Sequence, residues 1–304
     1  MGYLSQKKKH ARINFLLNTS LGIISITSFL ALFDRSSGFS AFINQWQFQI
    51  YIYLLFVFFY ALVNRFFIQA LFACLLIVVN YMSIASSANL FKNIENDGQQ
   101  RLVILYQNHT QNGEALLQQA RAERADVIAV NRSRLPGFDL SNYPGYYLFN
   151  EDNDWKNSFM VSRHMPLKSG KLRLSPRFTA SYMSFIAEEQ PLVLINIDLS
   201  GLSHRDEKTV YHNLAEFVTA QDNPVIIIGE FGIPAWSDTF KKFLNKTGLE
   251  VKNRVILSNG SCWFNPFGVP SLNVLAYKNF GVKDVSLLNK DGNARHPLLV
   301  ELSF

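Results

Sequence analysis

Two cysteines in 304 residues leave no material for a disulfide framework. Cys74 lies in an apolar run and Cys262 far off in the polar part, so no bond between them is expected. Their number neither requires nor excludes an oxidising compartment. There is no internal repeat, no low-complexity tract, no Gly-x-Gly-x-x-Gly and no phosphate-cradling P-loop, which removes solenoid arrays and the common nucleotide-binding turns. An excess of one charge is also missing from the larger part. From residue 101 on, 22 Lys and Arg face 20 Asp and Glu, no electrostatic footprint for duplex nucleic acid. Before it, 7 Lys and Arg face 3 Asp and Glu, and much of the basic character comes from Lys7, Lys8, Lys9 and Arg12.

What is present first is a set of three long uncharged runs, at about 13–33, 46–63 and 66–86. Each approaches the roughly 20 residues needed to cross a hydrocarbon core. Three such runs are too many for a signal peptide. They predict an all-α membrane anchor over 1–90 with three transmembrane helices and Trp46 at an interface, followed by a linker at 91–100. The KKKHAR segment predicts a cytoplasmic amino terminus. Three crossings then put the rest on the outer face, periplasmic or extracellular at a bacterial inner membrane. A membrane is thus an expected partner.

From residue 101 short apolar runs alternate with amphipathic stretches. RLVILYQN, DVIAVN, NSFMVSR, FTASYMSFIA, PLVLINIDL, PVIIIG, LNVLAYKN, VKDVSLLN and PLLVEL read as strands. GEALLQQARAERA, DEKTVYHNLAEFVTAQ and SDTFKKFLNKTG read as helices, the second with Val210, Leu214, Phe217 and Val218 on one face and the third ending at Gly248. Strands outnumbering helices around one core predict mixed sheets covered by helices.

The order of these segments resembles the endonuclease/exonuclease/phosphatase superfamily, over about 101–304. The anchors are LYQN, ADVIAVNR, FMVSRHMP, LVLINIDLS, VIIIGEFGIPAWS and ARHPLLVEL, and three leading spans look like a bacterial membrane-anchored subgroup. The resemblance implies a four-layered α/β sandwich with two mixed β-sheets. It implies metal-dependent phosphoester hydrolysis, which needs a hard divalent cation held by oxygen ligands. Asn108 matches the first-strand Asn of such proteins. The position of their metal-binding Glu is Arg132, that of the His after the central strand is Asp198, and the Asp and Asn of the following turn are Glu230 and Gly232. Leu272 and Asn273 stand where an Asp-His pair is common. Arg295 replaces the Asp before the final His, and His296 remains. Trp236 and Trp263 match aromatic positions.

These exchanges oppose the reaction. A guanidinium cannot deprotonate, and one at 4 Å would repel a divalent ion by about 8 kcal/mol at an effective dielectric of about 20. Glu230 is one methylene longer than Asp, and Gly232 brings no side chain. Arg132, Arg295 and His296 are candidates for an anion-binding pocket taking a phosphate, a headgroup or an acidic partner segment. In the plainer alternative Arg132 pairs with Glu230 and fills the old metal position. His109, His164, His204 and His212 lack metal-ligand spacing, Ser203, His204 and Asp206 form no nucleophile elbow, and Glu151, Asp152 and Asp154 read as a solvated acidic turn.

The leading expectation is a membrane-anchored, non-catalytic protein of this fold that serves as a binding or assembly component, with no cofactor. The alternative is an active Mg²⁺-dependent phosphodiesterase or phosphatase using Glu230, His296 and Asn108, with Glu230 the one expected metal ligand. A third reading makes the spans the functional part and the domain a cap.

Overall fold

The computed structural model describes residues 2–33, 38–88, 100–108, 112–131, 145–149, 158–233, 237–251, 256–257, 270–271, 274–277, 280–288 and 297–304. The chain begins with three helices, α1 (Gly2–Phe33), α2 (Gly38–Val63) and α3 (Phe67–Ala88). They meet through Leu17, Leu21, Ile24, Leu54, Val57 and Ala73. Polar ties add to this: Gln69 Nε2 donates to Asn14 Oδ1 at 2.6 Å, and Asn80 Nδ2 to Ser28 Oγ at 3.0 Å. The turn between α2 and α3 is tight, at Asn64 and Arg65, with Arg65 left-handed at φ 62°.

The outward faces are apolar and bare. Phe15, Ile26, Phe56, Ile68, Leu71 and Met82 are each more than 60% exposed. Yet among the described residues no helix is long and apolar enough to cross a membrane. The expectation of three spans is thus corrected to three helices; crossing is not shown.

The rest is α/β. One six-stranded sheet runs β13-β14-β1-β2-β4-β3, using β1 (Arg101–Asn108), β2 (Val127–Asn131), β3 (Tyr147–Phe149), β4 (Ser158–Ser162), β13 (Gly281–Leu287) and β14 (Leu298–Ser303). The other runs β5-β6-β7-β8-β12-β9, from β5 (Pro166–Arg173), β6 (Thr179–Ala187), β7 (Gln190–Asp198), β8 (Val225–Glu230), β9 (Leu249–Val251) and β12 (Val274–Tyr277). β10 (Ile256–Leu257) and β11 (Pro270–Ser271) pair separately. Each large sheet has one central parallel pair, β1 with β2 and β7 with β8. A parallel pair needs a crossover; α4 (Gly113–Ala122) supplies the first and α5 (His204–Thr219) the second. α6 (Asp238–Thr247) follows β8 and stops at Gly248, left-handed at φ 70°, the usual helix-ending glycine.

Three apolar layers result. Leu116, Leu117 and Ala120 of α4 cover the first sheet, and Val210, Leu214, Val218, Phe240 and Phe243 of α5 and α6 cover the second. Between the sheets lie Ile104, Ala129, Phe185, Leu194, Ile228 and Val300. The expected two-sheet sandwich is present. β5 was not expected: PLKSGKLR is polar on both faces, as an edge strand can be, and lacks the alternation that marks a half-buried one.

One buried contact locks α5 to the second sheet. Tyr211 Oη donates to Phe231 O at 2.6 Å. Burial raises the Tyr211 hydroxyl well above its ordinary value, and the Glu207 carboxylate adds to this. A raised folded value means the contribution is whole below the unfolded phenol value of about 10 and is lost as pH climbs from there. We expect melting temperature to fall above about pH 10. Tyr211→Phe should weaken that fall and cost about 1 kcal/mol at neutral pH, both read from thermal melts of the full chain.

Candidate functional site

Side chains alternate along a strand. Leu102, Ile104 and Tyr106 of β1, Val127 and Ala129 of β2, Leu192 and Leu194 of β7, and Ile226 and Ile228 of β8 all enter the layer between the sheets. Two residues further on, the same inward face is polar: Asn108, Asn131, Asn196 and Glu230, with Asp198 after Asn196. Register brings them level, Asn108 opposite Asn131 and Asp198 opposite Glu230. The carboxyl ends of both parallel pairs therefore meet at one mouth. Gln107 falls on the opposite face, with Val103 and Leu105, so Asn108 is the β1 residue that faces the mouth.

Two carboxamides cross between the sheets in opposite directions. Asn131 Nδ2 donates to Ile197 O at 2.7 Å and to Tyr106 Oη at 3.3 Å; Asn196 Nδ2 donates to Val130 O at 3.3 Å. Their Oδ1 atoms are buried without a partner, and Asn108 has both Nδ2 and Oδ1 in that state. All three residues are buried. A buried polar atom left unpaired costs about 1–3 kcal/mol, so these four atoms make the mouth the part of the domain least satisfied by the protein's own groups.

The carboxylates are held differently. Asp198 Oδ1 accepts the Ser200 N–H at 3.1 Å and also the Ser200 hydroxyl, a local turn. Both Asp198 and Glu230 are half-buried. The Gly-Glu-Phe-Gly turn leans on the exit of β7: Leu199 N donates to Glu230 O at 2.8 Å. A Cβ at Gly229 (φ 139°) would lie 2.0 Å from Ile197 O, and one at Gly232 (φ 69°) 2.0 Å from Leu199 O. Gly232 is thus more than a lost Asn: no side chain fits there while the turn keeps this path.

Arg132, Arg295 and His296, the expected anion-binding set, lie outside the described residues, as do His109, Glu151, Asp152, Asp154, Trp236, Trp263, Leu272 and Asn273. His164 stacks on Phe185 with centroids 5.4 Å apart, His204 Nδ1 is 3.1 Å from Glu207 Oε2, and His212 is exposed. Ser203 caps α5, its side chain accepting from Asp206 N. Among the described residues no group of three or more His, Cys, Asp and Glu could hold a metal ion. Sequence reasoning missed Asn131 and Asn196. The available signal was a lone carboxamide closing an apolar strand run, VIAVN and LVLIN.

No family model and no curated protein matches the chain. Solved structures do. An endonuclease/exonuclease/phosphatase from Bacteroides vulgatus aligns at TM-score 0.54 and 10% identity, covering 67% of this chain and 99% of that one. An endonuclease/exonuclease/phosphatase family protein from Bacteroides thetaiotaomicron gives 0.50 and 14%, covering 66% and 97%. The chain has the endonuclease/exonuclease/phosphatase fold. The human Nocturnin catalytic domain, solved with bound sulfate, is similar too, at 0.51 and 13% over 69% and 96%. In this fold the mouth where β1, β2, β7 and β8 end is the natural place for a ligand, because carboxyl ends of parallel strands leave a crevice there.

Two contrasts test the site. Asn108→Leu should stabilise the chain by about 1–2 kcal/mol, since it removes two unpaired atoms, whereas Asn131→Leu should cost about 1–3 kcal/mol by stranding the Ile197 carbonyl. Thermal melts of the two variants check the opposite signs. Gly232→Asn should lower stability by about 3 kcal/mol or more, from the clash and the left-handed backbone together; an unchanged melt would refute the close approach.

Proposed function

We propose that this is a membrane-anchored, non-catalytic protein of the endonuclease/exonuclease/phosphatase fold, acting as a binding or assembly component on the outer face of a bacterial inner membrane. The observation that carries the non-catalytic reading is the chemistry of the mouth. Its deepest inward side chains are the three carboxamides of Asn108, Asn131 and Asn196. Carboxamides are neutral, and Mg²⁺ prefers carboxylates and water in a tight octahedron. The second-strand position where similar proteins carry a Glu is Arg132 in this chain, and Asp198 already accepts two bonds from Ser200. In this reading the donor set does not suit a divalent ion.

In this reading Arg132, Arg295 and His296 supply the charge for an anionic ligand above the carboxamide floor, a phosphorylated or acidic group of a partner. Arg132 pairing with Glu230 is the structural alternative at the same place. The anchor is supported by helices of 32, 26 and 22 residues. The uncharged runs at 13–33, 46–63 and 66–86 fall within these helices or at their edges. Bare apolar faces and carboxamide ties between helices suit lipid surroundings.

An active Mg²⁺-dependent phosphodiesterase is the second reading. It is favoured by one observation, that Asn108 and Glu230 do face the same mouth. Full-length protein assayed on phosphodiesters with Mg²⁺ or Mn²⁺ separates the two. We expect no turnover above that of the Glu230→Gln variant; turnover abolished by Glu230→Gln would establish the enzyme.

A further inference from the structure

We draw no further inference here: the strongest candidate, the exposed apolar patch of Met165, Leu167 and Ile186 at the end of the second sheet opposite the mouth, carries nothing because Glu188 and Glu189 offset the neighbouring Arg163 and Lys168 and nothing in the structure shows what covers it.

Discussion

Asn131 and Asn196 reach across the sandwich in opposite directions, each giving its N–H to a backbone carbonyl of the other sheet. Side-chain bonds to carbonyls at strand ends fix how far one sheet slides against the other. That offset decides whether the ends of β1 and β2 stand over those of β7 and β8. With it fixed, four strand ends open at a single mouth, and Asn108, Glu230 and Asp198 share one space. Without it the apolar layer alone would tolerate slippage, because hydrophobic contact is non-directional.

The same bonds explain why the mouth is polar yet poorly supplied with charge. A carboxamide can both donate to a carbonyl and leave an oxygen facing the cleft; a carboxylate in that position would set two acceptors against each other. The fold therefore gains its inter-sheet registration from the residue type that makes the floor neutral. The Gly-Glu-Phe-Gly turn obeys a related constraint. Its two glycines lie against the carbonyls of Ile197 and Leu199, and the Tyr211 hydroxyl holds the intervening Phe231 carbonyl. The turn is shaped by close backbone approach, which settles why position 232 has no side chain.

The two ends of the domain differ in kind. At the mouth, polar atoms are buried and lack partners; at the opposite end, the apolar side chains of Met165, Leu167 and Ile186 are exposed. Both are departures from what folding alone would select, and they lie at opposite ends of the strands. The helical third shows a third departure, with large apolar side chains turned outward along its length.

Periodicity and end signals in the sequence determined most of the elements, because apolar alternation and capping residues are local. The helix ending at Gly248 and the strands of the two sheets' centres were legible. So was the fold, through the order of its segments. β5 was not, since an edge strand has little to bury and thus little pattern to show. Neither were Asn131 and Asn196, which read as ordinary strand ends until the facing sheet brings a carbonyl to each. Gly232 read as a missing ligand until Leu199 O stood 2.0 Å from its would-be Cβ. Sequence alone established which residues alternate inward; only the tertiary structure decided what each one faces, because the partner in every case comes from a strand distant along the chain.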